Sequence, residues 1–293
     1  MATTYNTTGE TKSSKIQTGA ARIFAYLFLI FVTILSLFPI VLLLVNSTRS
    51  NDELVRFFTL IPSSHFGENF QKSMGSGGLL KSMLNSLIIA ASASLCSVYF
   101  SAMTAYGIHV YDFKLKKFAF NFIMVVMMIP TQISAVGFVD LVFKFKLDNT
   151  YWPLIIPAIA APSVFFYMKQ YIESALPMEV IEAARVDGSN EFRTFNTIAL
   201  PMLLPAMAVQ LIFSFTASWN NFFTPALIIN KAEIRTVPIV IQTLRTAVAA
   251  GGASKDLGYL YMTVMLAIIP VVIVYVFVSK HIVGGVALGA VKG

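Results

Sequence analysis

Apolar residues fall in six long runs along the chain, and polar residues gather between them. The runs are Ile23–Val45, Ser82–Ile108, Phe118–Val139, Tyr151–Met168, Pro201–Ala226 and Tyr259–Ser279. A helix needs roughly 20 apolar residues to cross a ~30 Å hydrocarbon core, and these runs are of that order. They do not alternate apolar and polar positions as the strands of a membrane barrel do. The pattern therefore predicts an all-α polytopic membrane protein with six transmembrane helices. The first run exceeds a signal-peptide core of about 7–15 residues, and no small-x-small cleavage site follows it, so it is read as an uncleaved span. Prolines mark the runs: Pro39 in the first, Pro130 in the third, Pro153, Pro157 and Pro162 early in the fourth, then Pro205 and Pro270. Each is expected to kink its helix and to free carbonyls that neighbours must satisfy.

The polar stretches set the organisation. Residues 1–21 read as a disordered cytoplasmic tail rich in Thr, Ser and Gly. Residues 22–79 hold the first span and an extracytoplasmic loop, 80–280 a core of five spans, and 281–293 a cytoplasmic C-terminal tail. Lys and Arg divide almost evenly between the two sides. The cluster Lys114, Lys116 and Lys117 favours both termini in the cytoplasm while Lys144 and Lys146 oppose that, so charge leaves the orientation to a motif further along the chain.

Charge narrows the function. Only 12% of the 293 residues are charged and 57% are hydrophobic, against roughly 25% charged in a soluble domain. The six run interiors hold no Asp, Glu, Lys, Arg or His; Asp140, Lys144, His109 and Lys280 stand at run ends or in loops. A charge at a span centre costs at least roughly 2.5–3.5 kcal/mol and persists where it works. Proton-driven carriers, intramembrane aspartyl proteases and voltage sensors are therefore disfavoured. An intramembrane enzyme would need a nucleophile–base or carboxylate pair at depth, and the spans offer neither. The single cysteine, Cys96, excludes a disulfide framework, and His65, His109 and His281 are too scattered for a metal site. The net charge of +7 is spread along the chain. It suits loops lying on anionic membrane lipid rather than a nucleic-acid surface.

The segment Gln170–Pro205 is too structured for a linker. Ser174 is placed to cap a helix and Pro177 to open it. Met178–Val186 is a good helix former, with Glu179 and Glu182 toward its positive end. Asp187-Gly188 stops it, Gly188 supplying the left-handed conformation. Ser189 is then expected to cap a second helix running toward Pro201. Ala183 and Ala184 are small enough for a partner to approach the backbone closely.

Here the chain resembles a known family. Glu182-Ala183-Ala184, three residues, Gly188, nine residues, Ile198, one residue and Leu200-Pro201 meet every position of the EAA motif of binding-protein-dependent ABC importer permeases. Asn85-Ser86, Pro130-Thr131-Gln132 and Trp219-Asn220-Asn221-Phe222 match locally. The ending Gly289-Ala290-Val291-Lys292-Gly293 resembles that of the smaller maltose-type sugar permease subunit. The resemblance covers residues 80–293 and implies the type I ABC importer permease fold. It also implies that the EAA loop, 170–200, is a cytoplasmic coupling helix docked on a separate ATPase subunit. On this pattern Glu182, Ala183, Ala184, Asp187 and Gly188 contact the ATPase, and the Glu182 carboxylate meets a basic group there. Closure of the ATPase dimer would then swing the spans between inward- and outward-facing states.

The resemblance implies no organic cofactor or metal in this chain; ATP would be bound by partner subunits. The nearest phosphate-loop pattern, Gly75 to Ser82, has Leu80 where a P-loop needs the glycine before its lysine. The implied partners are a second, non-identical permease subunit, ATP-binding subunits and an extracytoplasmic solute-binding protein. The implied substrate is a carbohydrate, an oligosaccharide by the tail match. The implied location is the cytoplasmic membrane of a bacterium. Amides and aromatic faces suit neutral sugars, which makes Gln132, Asn220 and Asn221 candidates for the substrate path. Helix–helix hydrogen bonding is the other reading of these amides. A permease for another neutral solute, a channel and a secondary carrier are the alternatives.

Overall fold

The computed structural model describes residues 10–75, 78–251 and 256–290. The described residues are helical or irregular, with no strand among them. Among the described residues five helical stretches are long and apolar enough to cross a membrane, or six if the bent pair in the third run counts as one span.

The chain divides into two compact units, one built from residues up to Phe70 with Asp256–Met265, the other from Gln71–Lys255 and from Leu266 onward. In the first, α1 (Glu10–Ser47) is one helix that continues through Pro39. It begins inside the segment expected to be a disordered tail; residues 1–9 lie outside the described residues. The polar stretch after α1 is folded rather than a bare loop. Ser50 and Glu53 form a reciprocal capping box that starts α2 (Asn51–Arg56). The Glu53 carboxylate also accepts from the Ser63 hydroxyl at 2.9 Å and lies 3.6 Å from His65 Nδ1. Arg49 is buried, donates to the carbonyls of Glu53 and Phe57, and lies over the Phe57 ring. Asn69, near the start of α3 (Phe66–Gly75), donates to the Ser47 and Arg49 carbonyls. Gly258 packs against this knot so closely that a Cβ there would stand 2.4 Å from the Arg49 carbonyl oxygen.

The second unit is organised around α4 (Gly78–Val110). Its buried face is lined by Ala90, Ala93, Ser94, Ser97, Ser101, Ala102 and Ala105. Small side chains let neighbouring helices approach closely in a bilayer, where apolar burial alone gives little drive to associate. The third run is not one kinked helix. It breaks into α5 (Lys116–Met127) and α6 (Thr131–Lys144), bent by 97°. Pro130 adopts an extended conformation at the head of α6, and the residue before a proline is pushed out of the helical region. The fourth run is also interrupted: α7 (Trp152–Ile155), a 3-10 turn at Ile156–Ile159, then α8 (Pro162–Ala175).

A short α9 (Met178–Val186) and α10 (Glu191–Thr194) follow. A π turn at Phe195–Ala199 joins α10 to α11 (Leu200–Trp219), so the fifth span is continuous with the EAA segment. Pro201 has no N–H to give the carbonyl one turn back, and the helix widens into the π turn just before it. Helices α4, α8 and α11 share a core of Val98, Ala102, Phe165, Met168, Ile172 and Leu203. After α11 come α12 (Phe223–Ile228) and α13 (Val237–Ala249). The last helix, α14 (Leu257–Ala290), extends through most of the expected C-terminal tail; residues 291–293 lie outside the described residues.

Candidate functional site: a surface turn and a cleft at broken helices

The EAA segment folds as an exposed helical hairpin. Ile181 and Ala184, three residues apart on α9, are buried in the bundle, with Ile181 in the core shared by α4 and α8. Glu182, Ala183, Asp187 and Gly188 are exposed. Ala184 is thus the one residue of the expected contact set whose side chain faces inward. Gly188 has φ +78°. Its N–H donates to the Arg185 carbonyl and the Ser189 N–H to the Ala184 carbonyl, both at 3.0 Å. Together these complete a Schellman turn. A Cβ at Gly188 would meet nothing within 4 Å, so the backbone conformation alone makes the demand for glycine.

Two capping expectations are corrected. Ser174 lies in the last turn of α8, its hydroxyl donating to the Tyr171 carbonyl, and α9 opens at Pro177 without a side-chain cap. The second helix is capped by Asn190, which accepts from the Arg193 N–H at 2.9 Å. The Ser189 hydroxyl instead accepts from Thr194.

Sequence reading missed what holds this turn to the bundle. Arg185 donates to Glu191 at 2.8 Å across the turn and lies over the Tyr111 ring. The Tyr106 hydroxyl, from the end of α4, donates to the other oxygen of Glu191. The hydrogen bond to Glu191 raises the affinity of the Arg185 guanidinium for its proton. Partial burial, then the Glu191 carboxylate, push the Tyr111 phenol above its ordinary value. A spacing of six is not a helical neighbour spacing, and the tyrosines are far away in sequence, so no local pattern marks the group. Val186 and Phe192, strongly exposed at 88% and 69%, flank the turn. They add an apolar surface beside the acidic one.

The second element is a cleft of about 610 Å³ where the two broken spans meet. Its walls come from the α5–α6 break, from Pro153 to Ser163, and from Asn221, Thr224 and Leu227. Thr131, Ser134, Ser163, Asn221 and Thr224 supply its hydrogen-bonding groups. Among the described residues that line it none is charged. Asn221 is the one sequence candidate in the lining, and its side chain also accepts from the Thr224 N–H. Gln132 and Asn220 are exposed and do not line it. Asn85, another amide inside a run, is fully engaged: it donates to the Glu233 and Arg235 carbonyls and accepts from Tyr151. The prolines that interrupt the apolar runs were read only as kinks; they are the signal that could have marked this cleft, because interrupted helices at membrane depth occur where they line a cavity or are packed in protein.

The family described as binding-protein-dependent transport system inner membrane component matches residues 97–287, which hold both the turn and the cleft. The chain belongs to that family. The permease is 35% identical to the arabinooligosaccharides transport system permease protein AraQ of Halalkalibacterium halodurans, over 90% of this chain and 94% of the relative. It is 31% identical to AraQ of Bacillus subtilis, over 93% and 96%. It is 27% identical to the sn-glycerol-3-phosphate transport system permease protein UgpE of Brucella abortus, over 92% and 97%. Its fold matches a solved bacterial ABC transporter involved in the import of the acidic polysaccharide alginate, with TM-score 0.76 and 18% identity, over 95% of this chain and 99% of that one. The permease therefore has the all-α, multi-pass architecture of an ABC importer permease. It is a transport subunit of a system that also needs ATP-binding and solute-binding components and a second permease.

Proposed function

We propose that this permease carries an oligosaccharide inward across a bacterial cytoplasmic membrane, driven by ATP bound and hydrolysed on partner subunits. The observation that carries the reading is the turn at Gly188. It is an exposed helix end with acidic and apolar groups on its surface, closed by a Schellman turn and tied to α4 through Glu191 and Tyr106. Such an element transmits a push from a docked ATPase because it is rigid and continuous with the fifth span through the π turn. In this reading Glu182, Ala183, Asp187 and Gly188 touch the ATPase, Ala184 seats the helix from within, and both chain termini are cytoplasmic. The permease takes no cofactor of its own.

The cleft supports a neutral solute. Its hydroxyl and amide groups offer hydrogen bonds to sugar hydroxyls, and the uncharged lining leaves a phosphate without a counter-charge. Kinship to the AraQ permeases favours an oligosaccharide over a phosphorylated glycerol. The test has two arms. A Cys at Ala183 should crosslink to a Walker-motif ATPase in native membranes. Cells lacking the chain should lose ATP-dependent uptake of labelled arabino-oligosaccharide and keep uptake of glycerol 3-phosphate. Recovery of the chain uncrosslinked, or uptake independent of ATP, would return the reading to a channel or carrier.

A further inference from the structure

We propose that the start of α5 is a binding site for one anionic phospholipid. Lys114, Lys116 and Lys117 stand together where the α4–α5 loop enters α5. Below them Phe118, Phe122 and Val125, four and then three residues apart, form one exposed face of α5. The rings of Phe118 and Phe122 are nearly parallel, with centroids 6.1 Å apart. With Phe113, Leu115 and Ile123 they line an open groove of about 660 Å³ whose lining is apolar apart from Lys114.

Charge complementarity selects the occupant. Two other lysines beside spans are neutralised within their own helices: Lys144 pairs with Asp140 at 2.7 Å, and Lys169 with Glu173, while the α5 lysines differ from the remaining ones in standing three together. Among the described residues, none of the three lysines at α5 has an ion-pair partner. Asp112 is the neighbouring acid in the loop, and Arg185, over the Tyr111 ring, is already paired with Glu191. The groove therefore presents a cationic head and an apolar trough along one arm of a span. A phosphodiester headgroup meets the ammonium groups and its acyl chains fill the trough. A free phosphate would leave the trough empty, and a neutral lipid would leave the charge unmet.

The test uses the full-length permease purified with its partner subunits in detergent, with phosphatidylglycerol or phosphatidylcholine added and retention read by native mass spectrometry. Phosphatidylglycerol should be retained as a single adduct and phosphatidylcholine should not. Substituting K114Q, K116Q and K117Q together should weaken retention about a hundredfold, roughly fivefold per lysine. The corresponding triple Arg variant should restore it. Phe118→Ala with Phe122→Ala should weaken retention while leaving the lysines in place. Three results would overturn the site: wild-type retention in the triple Gln variant, an equal loss in K144Q/K146Q, or displacement of the adduct by inorganic phosphate.

Discussion

Two glycines, in two regions of the molecule, are required for opposite reasons. Gly188 closes the surface turn with φ +78° and open space around it. Gly258, at the start of α14, would have its Cβ 2.4 Å from the Arg49 carbonyl oxygen and 2.8–2.9 Å from the Asn69 amide. One position asks for a backbone conformation, and the other asks for the absence of an atom. The difference separates the function of the turn from the stability of the knot around Arg49, and substitutions that exploit it can break either assignment.

The largest effect is expected at the turn. Gly188→Val should abolish coupled uptake, because a left-handed conformation costs an L-residue about 1–2 kcal/mol and a β-branched one more. Gly188→Asn should keep most uptake, since asparagine tolerates that region and its Cβ has room. Equal loss in both variants would show that the surface, and not the backbone, needs glycine.

Gly258→Ala should act the other way. It should lower the thermal stability of the purified permease by about 1–3 kcal/mol, the range of overpacked sites, because the obstructing atom is backbone. Unchanged melting would place the Arg49 carbonyl elsewhere in the working protein.

Asn85→Ala comes next. It removes three hydrogen bonds at once, and the loss should be about 1–3 kcal/mol. Transport per folded molecule should be unchanged; a selective loss of substrate affinity would move Asn85 into the path.

Glu191→Gln should be milder in stability, about 1 kcal/mol or less, because Arg185 and Glu191 are both more than a third exposed. Its signature should be faster amide exchange over residues 178–190 together with weaker crosslinking from position 183. Unchanged exchange would mean that the Schellman turn alone holds the element.

The smallest effect concerns pH. The backbone N–H of Ser50, then the Ser63 hydroxyl, hold the Glu53 carboxyl below the usual carboxylate range. A depressed value means that the contribution is complete at neutral pH and is lost as pH falls through the folded-state value. Amide exchange over residues 50–65 should therefore rise on acidification below the usual carboxylate range. Glu53→Gln should remove that dependence.

The hydrophobic pattern by itself determined the helical class, the spans and their approximate limits. A run of about 20 apolar residues has few other stable states in a bilayer. The motif from Glu182 to Pro201 was equally legible, because a helix stop at Gly188 is a local backbone property. The helix ends were less so: Ser189 and Asn190 are both good caps, and in the fold Asn190 takes the cap while the Ser189 hydroxyl accepts from Thr194. Candidate path residues were the least legible. Gln132, Asn220 and Asn221 look alike as uncharged amides within apolar runs, yet Asn221 alone lines the cleft.

The place of the break in the third run, Pro130, was legible in the sequence, but its 97° bend was not. Tertiary structure brought Glu191 within reach of Tyr106, and it gave Asn85 three bonds that consume its polar groups. The physical reason is common to all of these. Spans and turns follow from the local energetics of neighbouring residues. A cleft, a cross-span hydrogen bond or a missing Cβ depends on atoms brought together from distant stretches of the chain.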